Sequence, residues 1–315
     1  AEGVGIAILD ASTGHVWTME HTGDERWDRL LDDLLRSSPR EVIFSPRDAE
    51  REEIRKVISQ LDGVTLSQHN SSKRKGESAL KNVLEVADLG HIDLGDSPLA
   101  MDAAGLAADY LATMHVVDSI DVKEVEIMQP DGNMVLDQTT LRNLELTQTL
   151  AGEKEGSLLG AIDRCRTSMG RRMLKQWILR PLANKEKIEA RQDAVASLAR
   201  SSRRLDDIRN SLRGLRDLER LATQLSYNRS GGRDIVAIGL ALERMPKIKL
   251  LCQEMDDELL NTISSDLDIL EMMRIDIQAN LNDEQPLSLR DGGLIREGVD
   301  SKLDELRTAA AVGHK

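Results

Sequence analysis

The apolar pattern of this chain changes period once, and that change limits what it can fold into. Residues 1 to 137 alternate short strand-like runs with helical stretches, whereas from residue 138 onward apolar residues recur at three- and four-residue spacing. A period of two suits a half-buried strand and a period near 3.6 an amphipathic helix, so the chain holds two classes of structure. Its 315 residues suit two domains at about 100–200 residues each. The pattern predicts a mixed α/β domain over 1–137 and an all-α domain over 138–315.

In the first half, Val4–Leu9 and Val16–Glu20 flank a turn-forming stretch and read as a hairpin. Trp27, Leu30, Leu31, Leu34 and Leu35 place a helix over 24–37. Glu41–Phe44 reads as a buried strand, and Pro46 opens a helix because proline is tolerated in a first turn. A strand over 64–68, an exposed loop over 71–76 and helices near 77–88 and 98–114 follow. Val125–Asp137 is expected to close the half as a second hairpin around Pro130-Asp131-Gly132. Beyond it, Ser157–Cys165, Met169–Leu179, Lys185–Ala199, Leu215–Leu225 and Arg233–Met245 carry apolar stripes, punctuated by Pro181, Pro246 and Gly231-Gly232.

The seam between the halves reads MVLDQTTLRNLELTQTL, Met134 to Leu150. Asp137 or a following threonine can cap a new helix there, since a side-chain oxygen satisfies one of the free N–H groups of its first turn. Arg142, Asn143 and Glu145 stand between the leucines of that helix and are candidates for residues that hold two domains in register. Arg164, Arg166, Arg171, Arg172, Lys175 and Arg180 cluster around one further helix. Because Arg171 and Arg172 sit beside Met173, Leu174, Trp177 and Ile178, they read as partners of acidic helix ends or of a neighbouring domain. Lys73, Arg74 and Lys75 form a basic loop, a weak candidate for DNA contact.

A net charge of −13 and a pI near 5.1 argue against a protein that coats DNA through its overall field. Aromatic residues make up only 2% of the chain, which weakens a single-strand nucleic-acid reading, since such surfaces stack bases on aromatic rings. Cys165 and Cys252 form no C-x-x-C pair and read as reduced thiols of a cytoplasmic protein. No apolar run approaches the roughly 18 residues of a membrane span, so no membrane partner is expected. Ala1 leads straight into a strand and the last residues are helix formers, which reads as a piece excised from a longer protein.

Candidate chemistry is sparse. Asp10, at the end of the first strand, is placed like a metal-binding carboxylate of a two-metal nuclease, but its partner acids are not evident and a turn role suffices. The sequence contains no Gly-Lys dipeptide, so no P-loop can form from it. No zinc-binding His/Cys pattern and no G-x-S-x-G elbow is present. No catalytic, cofactor-binding or metal-binding residue is therefore assigned.

In order along nearly the whole chain, these strings resemble the MutS family of mismatch-repair ATPases in its bacterial-type form. Gly5–Trp17 is similar to the first hairpin of the family's connector domain, which is ribonuclease-H-like. Met134–Leu150 is similar to the connector-to-core junction. Gly156–Leu182, with Met169-Gly170 and Arg180-Pro181-Leu182, is similar to the core segment that follows, Leu215–Leu225 and Gly232–Leu242 to the next helical stretches, and Leu289–Arg307 to the segment leading toward the DNA clamp.

The resemblance implies a ribonuclease-H-like connector domain over 1–137 and the first part of a helical core/lever domain over 138–315. It implies a segment that is not an enzyme by itself and needs no cofactor. In the intact protein the segment would link binding of mismatched duplex DNA to the ATPase and help dock MutL. ATP, magnesium and homodimer formation belong to that intact protein, with clamp and P-loop domains after Lys315. The family's mismatch wedge, the Phe of a Phe-x-Glu motif, has no counterpart: the one Phe is Phe44, followed by Ser45 and Pro46. Two alternatives stay open, a ribonuclease-H-like metal-dependent nuclease with a helical accessory domain and a plain protein-interaction scaffold.

Overall fold

A computed structural model describes residues 3–61, 63–70, 78, 80–81, 97–113, 124–127, 133–134, 136–226, 230–286 and 292–313. The chain divides into two compact units, Ala1–Arg164 with Arg172–Lys185, and Cys165–Arg171 with Glu186–Lys315.

In the first unit, β1 (Gly3–Asp10) and β2 (His15–Thr22) pair antiparallel as the expected hairpin, with Gly3 opposite Thr22 and Asp10 opposite His15. β3 (Glu41–Phe44) and β4 (Thr65–Gln68) form a separate parallel pair, and β5 (Glu124–Ile127) joins the other edge of β2 in parallel. Alternation gives the hairpin two apolar faces. Val4, Ile6, Ile8 and Met19 meet Leu30 of α1 (Arg26–Ser37) and, past the short α2 (Pro46–Ala49), Ile54 and Val57 of α3 (Glu52–Ile58). Ala7, Leu9, Val16 and Val125 meet Ala104, Ala108 and Leu111 of α4 (Pro98–Thr113). The alanine-rich face of α4 lets it sit very close: a Cβ added to Gly5 would lie 1.9 Å from the Leu99 carbonyl oxygen.

The second hairpin expected over Val125–Asp137 is not what the described residues form. β5 takes the open edge of β2, where a complete parallel ladder is available, with His15 opposite Glu124. Asn133 instead makes an antiparallel bridge to Leu182, and the Met134 N–H donates to the Pro181 carbonyl at 2.7 Å. The intervening turn, the loop over 71–76 and most of the helix expected near 77–88 lie outside the described residues. Two short helices, α5 (Gln138–Asn143) and α6 (Leu158–Ile162), also belong to the first unit. The period change near residue 137 thus falls inside that unit.

α7 (Ser168–Leu179) runs across the division between the units. The second unit continues with α8 (Lys185–Ala199), α9 (Ser202–Leu212), α10 (Leu218–Ser226), α11 (Gly232–Leu242), α12 (Met245–Gln253), α13 (Glu258–Asp266), α14 (Glu271–Asn280) and α15 (Ser301–Gly313). Leu221, Ile238, Ala241, Leu242 and Met245 form one core and Ala194, Met255 and Leu260 another. α11 and α14 cross at Gly239, where an added Cβ would lie 2.7 Å from Ile277. Pro246 lies in the first turn of α12, where the missing N–H costs nothing. No helix among the described residues is long and apolar enough to cross a membrane.

Candidate functional site

Asp137 decides where α5 begins. Its carboxylate accepts the Thr140 N–H at 2.6 Å, and that bond, with a further one from the Thr140 side chain, holds its pKa below the usual aspartate value. The helix then stops early. Arg142 and Asn143 are exposed on α5, while Glu145 lies beyond it with φ +49°, a left-handed conformation that ends a helix. The Glu145 carboxylate accepts the Leu150 N–H at 2.7 Å, and the carbonyls of Glu145 and Leu146 accept the N–H groups of Leu158 and Leu159 at 3.0 and 2.9 Å. Glu145 therefore anchors the start of α6; its N–H donates to the Arg142 carbonyl at 3.0 Å, and among the described residues no side-chain hydrogen bond or ion pair joins the two. Arg171 is exposed and Arg172 half-buried on α7, in the second and first unit respectively. Lys73, Arg74 and Lys75 lie outside the described residues.

The most constrained charges in the first unit are ones the periodicity did not single out. Asp33, on the buried side of α1, is only 5% exposed, and His21 on β2 only 6%. Asp33 Oδ2 lies 2.7 Å from His21 Nε2, which assigns the donating proton to that ring nitrogen. Asp33 Oδ1 accepts from Arg36 Nη1 at 2.9 Å and lies 3.9 Å from Arg180 Nη2. Arg36 Nη2 also donates to the Leu136 carbonyl at 2.6 Å, the residue before the Asp137 cap. Burial pushes the Arg180 guanidinium below its ordinary pKa; the pull of Asp33 opposes this, the nearby Arg36 adds to it, and Glu126 opposes it. Glu126 in turn is held low chiefly by His15, whose Nε2 lies 3.5 Å from its carboxylate and whose ring stacks on Trp17 with centroids 4.2 Å apart.

One acidic side chain thus collects partners from α1, β2 and the end of α7, and one arginine carries its charge across to residue 136. Removing one member of such a buried set strands the others, typically at about 3–5 kcal/mol. The arrangement suits holding a joint in place. No group of three His, Cys, Asp or Glu able to hold a metal occurs among the described residues. Asp10 is a turn residue, its Oδ1 accepting the Ser12 N–H at 2.8 Å and the Ser12 hydroxyl at 2.6 Å, so the nuclease alternative finds no support. Of Asp33, His21, Arg36, Leu136, Asp137 and Arg180, around which this joint is built, sequence reasoning noticed Arg180 within its basic cluster and Asp137 as a cap. An aspartate facing inward on an amphipathic helix was the signal for the rest, since Asp33 falls beside Leu30 and Leu34 on the apolar face.

The family model described as MutS domain II matches residues 1–116, and that described as MutS domain III matches residues 139–312. The DNA mismatch repair protein MutS of Symbiobacterium thermophilum is 34% identical over 315 residues, covering 99% of this chain and 36% of that protein. Its counterpart from Desulforamulus reducens is 33% identical over 312 residues, covering 98% and 36%. That from Anaeromyxobacter dehalogenans is 34% identical over 305 residues, covering 96% and 34%. The chain therefore spans about a third of the length of these relatives. Asp33 and Arg36 fall in the domain II match, Arg180 in the domain III match and Leu136 between them, so within one compact unit the buried charges join both matched segments. With both domain models matched in order along most of its length, the chain belongs to the MutS family, of which it holds domains II and III.

Proposed function

We propose that this chain is the linking, non-catalytic part of a MutS-type mismatch repair protein, carrying the state of bound mismatched DNA toward an ATPase elsewhere in the longer polypeptide. The buried cluster of Asp33, His21, Arg36 and Arg180 carries this reading, because a transmitted signal needs rigid contact between the segments it passes through. In the same reading the domain boundary lies at 137/138 and the first domain has ribonuclease-H-like architecture. A mixed sheet that opens with a hairpin and bears helices on both faces supports that architecture. Domain II offers a face to MutL, and Arg142, Asn143, Glu145, Arg171 and Arg172 are junction residues. ATP, magnesium and homodimer formation belong to the longer, cytoplasmic protein.

The test places Asp33→Asn in the longer protein and measures binding to G·T-mismatched duplex and mismatch-stimulated nucleotide exchange. Coupling free energies between sites typically amount to about 5–150-fold. The expected outcome is retained mismatch binding with stimulation reduced by about that range. Full stimulation in a folded Asp33→Asn protein would overturn the reading.

A further inference from the structure

We propose that Arg36 is a positioning residue that sets where the first helix of the domain III segment begins relative to α1. Its two Nη atoms serve different elements: one binds Asp33 Oδ1 at 2.9 Å within α1, the other binds the Leu136 carbonyl at 2.6 Å, 100 residues further along the chain. Asp33 cannot turn to follow a moving Arg36, because its other oxygen is engaged by His21 of β2. The guanidinium is therefore aimed by the core of the first unit. Its side chain is only 10% exposed, and Nε is buried with no hydrogen-bond partner among the described residues, so the two Nη contacts alone hold it. A planar fork of donors spans two acceptors in a fixed direction, which a single ammonium on a flexible stem does not.

What Arg36 grips matters as much as how. Leu136 immediately precedes Asp137, whose carboxylate caps α5, and Met134 two residues earlier is bonded to the Pro181 carbonyl. A shift of the Leu136 carbonyl would carry the cap, and hence the start of α5, with it. Arg180 stands beside the same Asp33 oxygen. Arg36 thereby ties α1 to Leu136 and, through the Asp137 cap, to the helix that follows it. The role in positioning stands on this geometry alone; its consequence for signalling rests on the function proposed above.

Arg36→Lys, with Arg36→Ala beside it, tests this in the 315-residue chain and in the longer protein. Amide hydrogen exchange at Met134 and Leu141 reports the seam, and exchange at Ile6 and Ile8 reports the β1–β2 core. The expected result for Arg36→Lys is core protection as in the parent, with Met134 and Leu141 exchanging about tenfold faster. Mismatch-stimulated nucleotide exchange falls while mismatch binding is kept. Unchanged exchange at Met134 and Leu141 in Arg36→Lys overturns the proposal. So does equal loss of protection in the core, which would make Arg36 a general stabiliser; a failure of Arg36→Ala to fold leaves Arg36→Lys to decide. Faster exchange at the seam with full mismatch stimulation supports the positioning role and instead refutes the coupling function.

Discussion

Thr18 has no exposed surface, and its Oγ1 lies 2.9 Å from the Ile6 carbonyl and 2.7 Å from the Ala100 carbonyl. One hydroxyl proton stitches β1, β2 and α4 at a single point. Thr18→Val keeps the shape and removes the donor, so it should cost about 1–3 kcal/mol in urea unfolding, the usual penalty for leaving a buried acceptor unserved. Tyr110 illustrates the same economy with a charge. Its phenol donates to Glu41 Oε1 at 2.6 Å, and that bond raises its pKa because ionisation would both lose the proton and set two negative groups together. A raised pKa in the folded state means stability that is complete below the ordinary tyrosine value, about 10, and lost as pH rises through the folded value. Tyr110→Phe is therefore expected to cost about 1.5–3 kcal/mol at neutral pH and to flatten the alkaline loss in a denaturation series from about pH 8 to 12. Neither pairing was legible in the sequence, since Tyr110 and Glu41 stand 69 positions apart and nothing local marks either as a partner.

At the level of elements, period and caps were legible and pairings were not. The hairpin β1–β2, the strand Glu41–Phe44 and the helix opening at Pro46 follow from local pattern, and Asp137 caps α5 as its position before the threonines suggests. The partner of β5 could not be read, because a parallel neighbour is chosen by the whole sheet, and neither could the early end of α5, where Glu145 turns left-handed in a run of good helix formers. Asp137 gives a test with a sign. Its depressed pKa means a contribution present above the ordinary aspartate value, about 3.9, and lost as pH falls through the folded value. Asp137→Asn should keep α5 at neutral pH, Asp137→Ala should weaken it at every pH, and amide exchange at Thr140 reads both. Glycine spacing gives another. A Cβ at Gly3 would lie 2.8 Å from a side-chain methyl of Leu99, which can move, whereas one at Gly5 meets the Leu99 carbonyl, which cannot. Gly3→Ala, which also meets the His21 carbonyl at 3.2 Å, should cost less than Gly5→Ala, which should lower the melting temperature sharply, at about 1–3 kcal/mol or more.

For the whole molecule, the absence of a Gly-Lys dipeptide and of a Phe-x-Glu string sets two expectations. Calorimetric titration of the 315-residue chain should show no saturable micromolar ATP binding, because no backbone cradle with its lysine is available. Gel shifts at equal ionic strength should show no preference for a G·T duplex over a fully paired one, since the sequence carries no Phe-x-Glu wedge. A tenfold preference, about 1.4 kcal/mol, would contradict this. The discontinuous first unit has a further consequence, for how the protein is made. It takes in Arg172–Lys185 only after Cys165–Arg171 has gone to the second unit. Translation proceeds at about 5–20 residues per second, so β2 waits several seconds for β5, and Asp33 longer still for Arg180. During that interval the nascent hairpin holds its apolar edge open on the ribosome, with a carboxylate committed to the interior and one of its cations not yet synthesised. A slow codon between those for Asp33 and Arg180 prolongs that exposure. Synonymous changes in that stretch should therefore alter the yield of folded protein without altering a single side chain.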